Sequence, residues 1–209
     1  MWWIVDICKK KEKKIDPKCP EPDYVGDAWI YTAIKRKSYL FLAFSSGKRT
    51  TTTCSEMLNQ VYDRIDLPFP DTKIEIYTDG NPEYTSLLPK YYAPPCMDYG
   101  QIVKIREKGW VIDKFKQIVF GNPDLSSIET TDVENANGIL RERNGRLVQK
   151  TKCYSKLKPK LDSSLNLFQF YWNFMNNFKN GQSPGMIEGL IERRINWHEF
   201  LHIQLSIEN

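Results

Sequence analysis

The 209-residue chain has no apolar run near the ~20 residues needed to span a bilayer, which excludes an α-helical membrane protein. It also has no closely spaced cysteine pair. Cys8, Cys19, Cys54, Cys96 and Cys153 are odd in number and scattered, which argues against a zinc ribbon or a disulfide framework. Histidine is scarce too: His198 and His202 are the only two. They fall in HEFLH, a literal H-E-x-x-H, yet no strong third ligand follows. The better reading is a short amphipathic tail helix. No signal peptide is evident, because the first apolar run is short, its basic cluster follows it, and no small-residue cleavage site appears. These absences lead us to expect a cytoplasmic protein with no membrane partner.

What is present suffices for one substantial core: 41% hydrophobic and 13% aromatic residues. The net charge of +4 says little by itself; its distribution says more. WWIVDIC (2–8) is β-branched and aromatic, a strand, and a charged, proline-bearing loop follows it. WIYTAI (29–34) and YLFLAFS (39–45) flank a short polar KRKS and read as a hairpin. Their nearly continuous apolar character suits strands covered on both faces. Threonines 50–53 offer helix caps. Met57, Leu58, Val61 and Ile65 then recur at helical spacing. KIEIYT (73–78) is a fourth strand, PEYTSLLPKYY a short helix, and QIVKI-REKG-WVIDKFKQIVF a further strand or hairpin with a glycine turn. Helical patterns follow from about 128 to 147 and through LDSSLNLFQFYWNFMNNFK, where Asp162 or Ser163 is the expected cap. There Leu165, Phe168, Trp172 and Met175 form a packing stripe widened by Tyr171, Phe174 and Phe178. There are no internal repeats. Three antiparallel strands followed by α/β alternation predict a mixed sheet with helices on both faces.

Two stretches carry chemistry. In IEIYTDGNPEY, Asp79 stands at the C-terminal end of an apolar strand, where open α/β sheets hold ligands and metals. Asp-Gly is equally a hairpin turn, and spacing alone leaves both readings open. In VENANGILRERNGRLVQKTKCYSKLKPK, Arg141, Arg143, Arg146, Lys150, Lys152, Lys156, Lys158 and Lys160 are opposed only by Glu142. A helix places Glu134, Asn137, Gly138 and Arg141 on one face. A carboxylate ahead of a basic surface suits a metal-bound phosphate with a phosphodiester strand beside it. A solvated charged face is the plainer alternative. Gly138 and Gly145, costly within a helix, leave room for close approach.

Together these segments resemble the DDE transposases of the insertion-sequence-one type. WIYTAIKRKSYLFLAFSSGKRT looks like the family's second and third strands ending in G-x-R-T. YTDGNPEY resembles the segment with the second catalytic Asp, which carries over to Asp79. VENANGILRERNGRLVQKTKCYSK resembles the segment with the catalytic Glu, which carries over to Glu134. Asn137, Arg141, Arg146, Leu147, Lys150, Thr151, Ser155 and Lys156 stand in matching places. The resemblance implies a ribonuclease H-like core over residues 1–182, with SPGMIEGL opening a helical tail over 183–209. It implies transposition of insertion-sequence DNA through strand cleavage and transfer, a two-metal Mg²⁺ or Mn²⁺ site on Asp79 and Glu134, double-stranded DNA (element ends and target) as partner, and a homodimer. The DNA contacts would come from Asn137, Arg141, Arg143, Arg146, Lys150, Lys152 and Lys156.

The chain also departs from that pattern. The Asp79-to-Glu134 gap is longer, by about the hairpin around REKGW, and Glu129 is a nearby rival carboxylate. The family's first strand begins Asp-Glu-x-Trp, and Met1-Trp2-Trp3-Ile4-Val5 matches from the x onward. The first catalytic Asp would lie two residues before Met1. Asp6 is an odd number of strand positions away and should face oppositely, and Asp27 lies before the second strand, away from the site. The expectation is therefore an incomplete, inactive transposase core; the alternative is a non-catalytic DNA-binding or regulatory remnant.

Overall fold

The computed structural model describes residues 2–7, 29–107, 110–147 and 157–203. Strands β1 (Trp2–Ile7), β2 (Trp29–Lys35), β3 (Leu40–Gly47), β4 (Ile74–Asp79), β5 (Met97–Glu107) and β6 (Trp110–Phe120) form one sheet of order β3-β2-β1-β4-β5-β6. β1, β2 and β3 pair antiparallel, while β4 and β5 run parallel to β1. This is the arrangement expected for a ribonuclease H-like mixed sheet: three antiparallel strands, then parallel ones. β1 sits in the middle, with Trp3 opposite Ile34 on one side and Tyr77 on the other. β6 runs antiparallel to β5, with Glu107 opposite Trp110.

The helices are α1 (Thr51–Tyr62), α2 (Pro82–Tyr91), α3 (Thr131–Arg143), α4 (Lys158–Phe170), α5 (Pro184–Ile187) and α6 (Trp197–Leu201). Thr50 caps α1 by accepting the Thr53 N–H, and α1 buries Met57, Leu58 and Val61. With Leu87 and Leu88 of α2 they cover one face of the sheet against Tyr31, Ile74 and Ile76. On the other face Val133, Ala136 and Leu140 of α3 and Leu161, Leu165 and Phe168 of α4 pack on Ile30, Ile34, Phe41 and Phe44. Two covered faces explain why β2 and β3 alternate so little. Trp172 completes the predicted stripe: its ring meets Phe41 and Phe168, and its Nε1–H donates to the Tyr39 carbonyl at 2.9 Å. Met175, also buried, ends the π-helical turn Tyr171–Met175 after α4.

The outer edge of β3 is sealed by side chains. Gln169 donates to the Phe41 and Leu42 carbonyls, Arg64 donates to the Leu42 carbonyl, and Asn173 both donates to and accepts from the Phe41 backbone. Occupied edge groups offer no template for another strand.

Three sequence expectations about helix ends need correction. The helix expected from about 128 to 147 is α3 over Thr131–Arg143, so Glu129 precedes it and Gly145 lies in the following 3₁₀ turn. α3 ends because Asn144 turns extended, and its Oδ1 takes the Arg146 N–H and the Ser164 hydroxyl. Neither Asp162 nor Ser163 caps α4. That helix starts at Lys158, with Pro159 supplying a pre-set φ in the first turn. Asp162 instead accepts from Ser46 and from Lys158.

Candidate functional site

The site forms where β4 ends. The Asp-Gly pair is not a hairpin turn: β4 stops at Asp79, and α2 begins at Pro82 with Asn81 as its cap. Asp79 Oδ1 accepts the Asn81 N–H at 3.2 Å, which holds the carboxylate at the strand's end. Gly80 lets the chain pass close to β5, since a Cβ there would lie 3.3 Å from the Val103 Cα. Beneath it is a buried polar cluster. The Gln101 amide donates to Tyr99 Oη at 2.6 Å and to Thr78 Oγ1 at 3.3 Å, and also reaches the Asn81 carbonyl. Thr78 and Tyr99 hydroxyls lie 2.9 Å apart. Burial pushes the Tyr99 phenol well above its ordinary range, so the cluster stays neutral.

Glu134 enters from the first turn of α3. Its Oε1 accepts from Lys104 Nζ of β5 at 2.7 Å and from Thr130 Oγ1 at 3.1 Å. The two carboxylates sit in opposite electrostatic settings. Burial raises the Asp79 carboxyl above its ordinary range; Glu134 pushes the same way, against the Asn81 N–H, Lys104 and Arg49. For Glu134, partial burial also opposes the charge, but the Lys104 hydrogen bond and charge, with Thr130 and Lys114, hold it below the ordinary range. Asp79 and Glu134 are thus brought within electrostatic reach of each other, with Lys104 acting on both.

The other expected residues are distributed differently. Glu129 is no rival at this site: it pairs with Arg36, which also binds Asp132 at 2.9 Å. Asn137 is buried, and its Oδ1 accepts from Thr32 Oγ1 at 3.1 Å, so it ties α3 to β2 rather than facing solvent. It lies off the exposed face that carries Glu134, Gly138 and Arg141 because the sheet claims its side of the helix. Arg141 is exposed. Arg143 donates to Asn176 Oδ1 at 3.0 Å and lies over the Trp172 ring, and Arg146 is exposed on the 3₁₀ turn. Lys150, Lys152 and Lys156 lie outside the described residues. In HEFLH, Glu199 closes a capping box with Asn196 and pairs with Arg193, so it is a helix-start carboxylate, as a tail helix requires.

Carboxylate oxygens are the right donors for Mg²⁺ or Mn²⁺. Among the described residues, however, no three His, Cys, Asp or Glu side chains group to hold a metal. Asp79 and Glu134, one of them bound to an ammonium, fall short of a two-metal centre. Sequence reasoning missed Lys104, Thr130 and the Thr78–Tyr99–Gln101 cluster. Lys104 is the one charged position in QIVKI, which marks it as surface-facing, but nothing in the strand tells which helix will meet it.

The described residues therefore place Asp79 at the end of β4 and Glu134 in the first turn of α3, on a mixed α/β sheet, with the charge of Lys104 acting on both. No family model matches the chain, and no curated protein matches it. Among solved structures it is similar to the catalytic core domain of BIV integrase, with 14% sequence identity and a TM-score of 0.45 over 88% of this chain and 91% of that one. No helix among the described residues is long and apolar enough to cross a membrane.

Proposed function

We propose that the chain is a transposase-related core of the DDE type that engages double-stranded DNA over the surface that carries Asp79 and Glu134. The observation that supports this reading is the placement of Asp79 at the end of β4, the strand beside β1, and of Glu134 on α3, the helix that packs against β1. Asp79 and Glu134 would supply two of the oxygen ligands that a two-metal site needs, and the metals would contribute Lewis-acid chemistry there. In the proposed role Arg141, Arg143 and Arg146 continue the same surface as phosphate contacts.

A second reading, a DNA-binding remnant without cleavage activity, is favoured by the Lys104–Glu134 pair. The ammonium satisfies the carboxylate that a metal would need. One experiment separates the two. Supercoiled plasmid is incubated with the protein and Mg²⁺ or Mn²⁺, scoring nicking, while filter binding follows DNA retention from low to high salt. Salt-sensitive binding without nicking, unchanged in Asp79→Ala, is the remnant's result. Nicking abolished by Asp79→Ala is the active transposase's result. No binding even at low salt would sink both.

A further inference from the structure

A cleft lies at the far end of α3. Its cavity of about 530 Å³ is walled by Arg143, Asn144 and Arg146 on one side and Ser164, Tyr171 and Trp197 on the other. From Glu134 to Arg143 the helix rises about 13 Å, so one DNA strand can touch both places. Three features give this cleft a chemistry. Its described lining holds two arginines and no carboxylate. Its aromatic wall is an offset stack, Tyr171 against Trp197 with centroids 5.9 Å apart and planes 18° from parallel, and Trp197 is 53% exposed. The third feature is Asn144, which is 5% exposed and whose Nδ2 has no hydrogen-bond partner among the described residues.

The Asn144 amide cannot be turned over to remove that deficit. Its oxygen accepts the Arg146 backbone N–H at 3.2 Å, a group that can only donate, together with the Ser164 hydroxyl at 3.0 Å. A buried donor without an acceptor is costly, and it sits in the wall that carries the two arginines. Nδ2 itself is fully enclosed and marks a polar wall, while the guanidinium groups of Arg143 and Arg146 beside it favour an anionic oxygen in the cleft. A flat aromatic platform next to an anion site matches a nucleotide, with phosphate on one wall and base on the other.

We propose that this cleft is a subsite for a single unpaired nucleotide of the DNA strand, its phosphate held by Arg146 and Arg143 and its base stacked on Trp197. The inference rests on the DNA-binding reading above and adds to it. A base free to stack on Trp197 must be out of the duplex, so the preferred DNA carries an unpaired or extruded nucleotide.

The test uses the full chain and oligonucleotides carrying 2-aminopurine, either in a single strand or fully paired. Expected is quenching of the single-stranded probe, with about tenfold weaker binding and no quenching in Trp197→Leu. Arg146→Gln should lower the salt slope for the single strand by about 0.7. Both side chains are exposed, and unchanged thermal unfolding of the variants verifies their folding. Quenching that persists in Trp197→Leu, or salt-sensitive duplex binding with no response of the single-stranded probe to either variant, would overturn the subsite while leaving the DNA-binding reading intact. Absence of binding to either DNA would overturn both.

Discussion

Lys104 Nζ and Glu134 Oε1 lie 2.7 Å apart, joining the parallel strand β5 to the first turn of α3 beside Asp79. This pair sets the electrostatics around Glu134. It keeps Glu134 ionised and compensates it, while Asp79, more deeply buried, is offset only in part by the Asn81 N–H, Lys104 and Arg49.

Removing that ammonium tests whether it competes with a metal. Lys104→Met should strengthen Mn²⁺ binding several-fold in a titration followed by electron spin resonance, and Asp79→Asn should cancel the gain. Stability should change little, since partly exposed pairs are worth about 0.2–1 kcal/mol. Equal Mn²⁺ binding in the parent and Lys104→Met proteins would show that the lysine does not block the site.

The two carboxylates should affect stability in opposite directions as pH changes. Asp79's folded value is raised above its ordinary 3.8, so its ionisation costs stability as pH climbs through the interval between those values. Glu134's is lowered from 4.5, so its contribution is present above that value and is lost as pH falls through the folded one. At pH 7, Asp79→Asn should therefore melt higher than the parent and Glu134→Gln lower, with both differences shrinking in strong acid. Melting curves from pH 3 to 8 would reveal a shared sign, which would refute the assignment.

Asn137 should matter to folding and not to DNA. Asn137→Ala removes the buried hydrogen bond that ties α3 to Thr32 of β2 and should cost about 0.5–1.5 kcal/mol in urea unfolding. DNA affinity of the folded fraction should remain at the parent level. A selective loss of affinity at parental stability would return Asn137 to the interface.

Arg141 is the reverse case. Arg141→Gln should leave unfolding within about 0.5 kcal/mol of the parent. It should weaken duplex binding uniformly across sequences and reduce the salt slope by about 0.9, measured by fluorescence anisotropy at several ionic strengths. An unaltered slope would place the phosphate backbone elsewhere.

Much of the architecture was legible in the residues. The apolar continuity of WIYTAI and YLFLAFS marked strands covered on both faces, and β2 and β3 are buried along nearly their whole length. The spacing of Leu165, Phe168, Trp172 and Met175 marked one packing stripe, and all four are buried. Spacing left Asp79-Gly80 open between a hairpin turn and the end of a strand, and a strand-to-helix junction is what forms. Helix ends were harder. Glu129, Gly145, Asp162 and Ser163 were misplaced because a helical pattern continues past the point where a side chain such as Asn144 captures the backbone, and a proline can open a turn earlier than a polar cap would.

Local sequence therefore determined the elements and put Asp79 at the end of its strand, because periodicity, proline and cap chemistry act within a few residues. Tertiary structure alone decided what each polar residue of α3 does. Asn137 and Glu134 are one helical turn apart and were assigned to the same face. The sheet packs against α3 so that Asn137 meets Thr32 in the interior while Glu134 meets Lys104 at the rim. Which side of a helix is buried depends on the angle at which it lies on the sheet. That angle is set by the fit of Val133, Ala136 and Leu140 against Ile30 and Ile34, contacts between residues about a hundred positions apart that no local pattern encodes.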